Sequence, residues 1–179
     1  VLEREWIAPT PGVVPVLYAA VRAFTREGEG VIVQPPVYPP FFSAVTDNAR
    51  RLILNPLRLD DGHYSFDYDH LEQCALDGGK LLLLCSPHNP VGRVWRKEEL
   101  ERVLEIARKH DLIVVSDEIH ADLVYAPNKH IPLATLEDIP ERVITALAPS
   151  KSFNIPGLGL AFMVAADAEL RGSLRAEFM

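Results

Sequence analysis

Cysteine is scarce in this chain, with only Cys74 and Cys85 present. Two thiols build neither a disulfide framework nor a zinc site, and they fit a reducing, cytoplasmic compartment. Cys85 closes an apolar run and reads as a reduced core residue. A basic excess is missing too. Lys and Arg total 18 against 25 Asp and Glu, a formal net charge of −7, whereas nonspecific nucleic-acid binding needs a basic footprint. No apolar run approaches the ~20 residues that span a bilayer. Val1-Leu2-Glu3-Arg4-Glu5 lacks the basic start and apolar core of a secretory signal. The first residue is not Met, which is compatible with a start further upstream. Repeats, low-complexity tracts and linkers are absent, so residues 1–179 read as one domain. The chain is 48% hydrophobic, enough for a substantial core.

The pattern along the chain is that of an α/β protein. Trp6 to Gly12 is a Pro/Gly-rich loop. The spacing of Leu17, Ala20, Val21 and Phe24 predicts a helix over 14–26. Val31 to Gln34 reads as a short buried strand, followed by the stiff loop Pro35-Pro36-Val37-Tyr38-Pro39-Pro40. A short helix over 41–47, a strand over 51–54 and a turn at Asp60-Asp61-Gly62 come next. Asp67 can cap a helix running to about Leu76. Lys80 to Cys85 is the clearest buried strand, 97–110 the clearest helix, and Leu112 to Ser116 the next strand. Strand, helix and strand with short loops make a βαβ unit. Asp138-Ile139-Pro140-Glu141 leads to a further apolar strand from Val143. Leu160 to Val164 is one more strand, and Asp167 to the end a helix. The expected architecture is a mostly parallel sheet with helices on both faces.

Parallel strands joined by such crossovers end on one edge, where open α/β sheets bind ligands. Three of those ends carry chemistry. The strand from Val143 runs into Pro149-Ser150-Lys151. A desolvated ammonium there is costly unless it has work, such as forming an imine with an aldehyde. The Lys80–Cys85 strand runs into Asn89, and the Leu112–Ser116 strand into Asp117 and His120. Taken singly, each has an ordinary explanation: a loop lysine in water, an Asn-Pro turn, an Asp capping the next helix, a structural histidine. Taken together they suit pyridoxal phosphate. Its aldehyde needs an amine, supplied by Lys151. Its ring nitrogen needs a carboxylate, supplied by Asp117. Its phenolate oxygen accepts from Asn89 and His120. Tyr38, on a rigid loop beyond a strand end, could stack on a flat cofactor or simply pack in the core. Gly12, Val13 and Val14, at a helix start, and Ser150 can hold the phosphate.

Three stretches carry a resemblance: Ser86-Pro87-His88-Asn89-Pro90-Val91-Gly92, Ser116-Asp117-Glu118-Ile119-His120, and Ser150-Lys151-Ser152-Phe153-Asn154-Ile155-Pro156-Gly157. In that order the chain resembles the pyridoxal-phosphate enzymes of the class I/II aminotransferase superfamily. Within it the match is to the cystathionine β-lyases, or C–S lyases, of the MalY/PatB type. His120 stands where many of the aminotransferases have Tyr, and it points to that branch. The resemblance implies the aspartate-aminotransferase-like large-domain fold. It implies Lys151 as the Schiff-base lysine, Asp117 as pyridinium partner, Asn89 as donor to the ring oxygen and Tyr38 stacked on the ring. It also implies a homodimer acting on small amino-acid substrates, with no nucleic acid or membrane partner. The expected reaction is β-elimination from cystathionine or a related sulfur amino acid. The alternatives are amino transfer between amino acids and 2-oxo acids, or cofactor binding without turnover.

The chain departs from the superfamily in places. Ala148 stands where a phosphate-binding Ser is usual, and Gly159 where many members have a phosphate-binding Arg. Relatives extend beyond both ends. Their N-terminal segment, and the C-terminal small domain with the arginine for the substrate carboxylate, have no counterpart here. The chain therefore reads as the large domain alone, inactive by itself.

Overall fold

The computed structural model describes residues 2–136 and 141–179 and builds them around a sheet covered by helices on both faces. In chain order the elements are β1 (Ile7–Thr10), α1 (Val13–Phe24), β2 (Gly30–Val33), α2 (Pro40–Thr46), β3 (Arg51–Leu54), β4 (Arg58–Asp60), β5 (His63–Ser65), α3 (Tyr68–Leu76), β6 (Gly79–Cys85), α4 (Lys97–Lys109), β7 (Ile113–Asp117), β8 (Val143–Leu147), β9 (Ala161–Val164) and α5 (Ala168–Ala176). The main sheet runs β1-β9-β8-β7-β6-β2-β3. β3, β2, β6, β7 and β8 are parallel, and β9 is antiparallel to both of its neighbours. β1 therefore points the same way as the parallel set. The mostly parallel α/β architecture expected from the sequence is the one observed.

The continuous Leu run of β6 follows from this layering. Leu81, Leu83 and Cys85 enter the core beneath α1, α2 and α5, while Leu82 and Leu84 enter the core beneath α3 and α4. A strand buried on both faces has no reason to alternate with polar residues. Truncating one of these leucines to Ala removes about 2–5 kcal/mol. α4 buries Leu100, Val103, Leu104 and Ala107 on one stripe. It carries Glu98 and Glu99 in its first turn and Arg108 and Lys109 in its last, as the helix dipole favours. Asp67 caps α3, its carboxylate accepting from His70 N–H at 3.1 Å. Asp167 caps α5 in the same way through Leu170 N–H at 2.7 Å.

Two expectations change. The stretch Trp6 to Gly12 is not simply a loop, because Ile7–Thr10 pairs with β9 as an edge strand. Pro9 is exposed there, and an edge tolerates its missing N–H. The turn at Asp60-Asp61-Gly62 is the bend of a hairpin made by β4 and β5. Asp61 and Gly62 both have positive φ, as two-residue hairpin turns require. β4 is exposed throughout, so it left no apolar pattern to read. α1 begins one residue earlier than expected and ends two earlier. Asp138 to Pro140, expected to lead into the lysine strand, lie outside the described residues.

Candidate active site

β1, β2, β6, β7 and β8 all end on the same edge of the sheet. Backbone hydrogen bonds carry the pairing past the strands and gather the loops. Ser86 N–H donates to Asp117 O at 3.0 Å, Glu118 N–H to Ala146 O at 2.8 Å, and Tyr38 N–H to Asn89 O at 3.1 Å. The register sets Cys85, Asp117 and Ala146 side by side across β6, β7 and β8. Cys85 and Ala146 belong to the core on the α1 side of the sheet, so Asp117 faces that side, where α1 begins.

Asp117 is buried, and its Oδ1 accepts from Ile119 N–H at 3.1 Å. Burial pushes its carboxyl up to about 7. The Ile119 bond and the Lys151 charge work against that rise, and Glu118 adds to it. The adjacent Glu118 is also buried but points into other company. It accepts from Ser116 Oγ at 3.0 Å, Leu133 N–H at 3.0 Å and His130 Nε2 at 2.7 Å. Of the two neighbouring carboxylates, Glu118 is engaged by structural donors and Asp117 is the one left to meet a cation.

Lys151 lies four residues past β8 in a turn closed by Phe153 N–H to Pro149 O at 2.9 Å and Ile155 N–H to Ser150 O at 3.0 Å. Ser152 Oγ donates to Asp122 Oδ2 at 2.8 Å and ties this turn to the segment after His120. The Lys151 charge acts on both Asp117 and His120. Lys151 itself is exposed. The sequence reading of a desolvated ammonium is therefore corrected: among the described residues none closes over Lys151, and its side chain is exposed.

His120 is half-buried. Burial, and then the Lys151 charge, lower its pKa. It lines a cavity of about 310 Å³ with Asn89, His88 and Tyr125. Tyr38 is 43% exposed and sits above Asn89 through the backbone bond already given, outside the lining of that cavity. Gly12 is the N-cap of α1, and Val13 and Val14 are its first residues. Their N–H groups have no partner within the helix. A Cβ placed on Gly159 would stand 3.6 Å from Pro11 O, so the loop after Lys151 returns against the entry to α1. Ser150 is half-buried in the lysine turn. Among the described residues no hydrogen bond joins Ser150 or Gly12–Val14 to the rest of the group. A larger cavity, about 600 Å³, is lined by Leu147, Pro149, Phe153 and Phe162, and by none of Asn89, Asp117, His120 or Lys151. Its walls are mostly apolar but include Glu118, Asp122 and His130, and neither cavity is lined by Asp117 or Lys151.

The donor set has the chemistry that pyridoxal phosphate requires. An amine, a buried carboxylate, an amide, an imidazole and a helix start lie on one sheet edge. Comparison with known proteins agrees. The sequence model for aminotransferase class I and II matches residues 1–176. The chain belongs to this family. Over 174 residues it is 44% identical to cystathionine beta-lyase PatB of Bacillus subtilis, covering 96% of this chain and 45% of that protein. It is 32% identical over 171 residues to protein MalY of Escherichia coli, covering 95% and 43%. Among solved structures, cystalysin from Treponema denticola, which contains a pyridoxal 5'-phosphate cofactor, superposes with a TM-score of 0.96 at 41% identity, covering 99% of this chain and 45% of that one. The chain thus spans less than half the length of these relatives.

Several contacts that hold the loops at this edge were not evident from sequence. Cys85 Sγ accepts from Asn89 N–H at 3.3 Å, and Trp95 Nε1 donates to Cys85 O at 3.0 Å. Asp122, His130 and Ser152 act through contacts 12 to 30 residues away in sequence. No local spacing encodes such contacts. Within the described residues no group of three or more His, Cys, Asp and Glu could hold a metal, and no helix is long and apolar enough to cross a membrane.

Proposed function

We propose that the chain is the cofactor-binding large domain of a pyridoxal-phosphate-dependent carbon–sulfur β-lyase. The whole protein would cleave cystathionine or a related sulfur amino acid to a thiol, pyruvate and ammonia. The observation that carries the reading is Asp117, a buried carboxyl raised to about 7, beside a lysine charge and next to a glutamate that is already engaged. Bound pyridoxal phosphate supplies an aldehyde for covalent attachment and a protonated ring that withdraws electrons from the amino-acid Cα.

The chain's own residues divide the remaining work. Lys151 offers the attaching amine. Once free, its neutral amine would take the substrate α-proton as general base. Asp117 holds the proton on the ring nitrogen. A cation there favours the charged carboxylate that burial alone disfavours. The Asn89 amide and the His120 imidazole donate toward the ring oxygen. His120 has one N–H to give in its neutral form, which its lowered pKa favours. Tyr38 covers one ring face. The N–H groups of Val13 and Val14, with the Ser150 hydroxyl, take the phosphate where Gly12 leaves room. They compensate for Ala148 and Gly159, which offer it no side-chain donor.

Exposed Tyr38, Tyr125, Phe153 and Leu158 surround this edge. Their exposure supports cover from the rest of the polypeptide and from a second subunit, as a homodimer would provide. The buried free thiols Cys74 and Cys85 support a cytoplasmic setting. Amino transfer would use the same residues, and the family match favours it as the second reading. The experiment is to supply cystathionine to the full-length protein and assay pyruvate without added keto acid. Pyruvate release supports the lyase. Keto-acid-dependent amino transfer without pyruvate contradicts it.

A further inference from the structure

We propose that His88 is a positioning residue, tying the loop that carries Tyr38 to the loop that carries Asn89 and so fixing the gap between a ring face and an amide. The roles of Tyr38 and Asn89 rest on the reading above, whereas the tie belongs to the chain itself. Pairing between β2 and β6 ends at Val33 and Leu83. Beyond that point β2 ends while β6 runs on beside β7 to Cys85, and among the described residues two bonds join the loops that follow. One is backbone, Tyr38 N–H to Asn89 O at 3.1 Å. The other is made by a side chain, His88 Nε2 to Pro36 O at 3.1 Å. They flank residues 36–38 on one side and 88–89 on the other.

The histidine is built in. It is 1% exposed, and its ring edge meets Trp95 at 5.6 Å and 89°. Trp95 is fixed in turn by its bond to Cys85 O and by stacking on Phe66 at 3.9 Å. Facing a carbonyl, Nε2 must carry the proton. Nδ1 is buried and has no partner. An orphaned buried nitrogen is a cost that an apolar side chain would avoid. The bond to Pro36 is the interaction that an apolar side chain could not make. Burial lowers the pKa of the ring to about 4, so the neutral donor persists across the ordinary range. Asn89 is held from below by Cys85 Sγ, which leaves the Tyr38 loop as the part that His88 controls.

The test uses the full-length protein with His88→Phe, which keeps a ring against Trp95 but has no donor, and His88→Gln, which keeps a donor. Leu104→Ala in α4 serves as a control for general destabilisation, and His88→Leu replaces the Phe variant if that does not fold. Hydrogen exchange of the Tyr38 amide is read in cofactor-free protein, and pyridoxal-phosphate affinity by visible absorbance. His88→Phe should speed Tyr38 exchange and weaken cofactor binding about tenfold beyond a control of matched Tm, the effect of one lost hydrogen bond. His88→Gln should recover most of both. Tyr38 exchange at the control rate in His88→Phe, or no recovery in His88→Gln, overturns the proposal. A wild-type protein with a protected Tyr38 amide that takes up no cofactor leaves the tie standing and overturns the cofactor reading instead.

Discussion

His130 Nε2 donates to Glu118 Oε2 at 2.7 Å, and both side chains are at most 10% exposed. This pair anchors the end of β7 from the side opposite Asp117. Removing His130 takes one hydrogen bond from a buried carboxylate that keeps Ser116 and Leu133, a cost of about 1.5–3 kcal/mol. His130→Ala should therefore lower the unfolding free energy by that amount, read as a lower denaturant midpoint with an unchanged m-value. A loss below about 1 kcal/mol would place the pair among solvent-screened contacts.

Asp117 makes the cofactor-free protein sensitive to pH. Its carboxyl protonates near 7 in the folded chain, against 3.8 as the ordinary value. The folded state therefore holds the extra proton between those values, and stability falls as pH rises across that window. His88, lowered to about 4, contributes with the opposite sign between about 4 and 6.5, where stability is lost as pH falls. The wild-type profile mixes the two, and the difference from Asp117→Asn isolates the carboxyl. That variant should be more stable than wild type at pH above about 7, by a few kcal/mol at most, and the curves should converge near pH 4. Thermal melts across pH measure it. The same variant should lose cofactor affinity, since its ring partner has no charge.

Lys151→Ala should leave stability within about 0.5 kcal/mol of wild type, because the side chain is exposed and outside the core. It should remove the visible absorbance of the lysine-bound cofactor. Chemical denaturation and absorbance of the same sample separate the two effects.

The layered fold was legible because its strands are buried on both faces. Leu81 to Cys85 and Val143 to Ala146 are buried in the sheet. The placement of Asn89, Asp117, His120 and Lys151 just past strand ends on one edge was legible because parallel strands deliver their ends to that edge. The edge strand Ile7–Thr10 was hidden by Pro9, whose usual meaning is a loop. The choice between Asp117 and Glu118 has a physical ground only in the folded chain, where Ser116, His130 and Leu133 occupy Glu118. The exposure of Lys151 was not legible, because burial at a sheet edge depends on what lies over it.

Ser150→Ala tests the phosphate assignment. A hydrogen bond to a charged group contributes about 1.5–3 kcal/mol, so cofactor affinity should fall roughly tenfold to a hundredfold. Titration of the full-length apoprotein, followed by visible absorbance, reads this directly. Unchanged affinity would assign the phosphate to the α1 start and to other groups.

The central claim is that Lys151 carries the cofactor. Borohydride reduction of the full-length holoprotein, followed by peptide mass mapping, tests it most directly. A phosphopyridoxyl group is expected on the peptide containing Lys151 and on no other lysine of this chain. An unmodified Lys151 peptide from protein that had been visibly loaded, or the label on a different lysine, would contradict it.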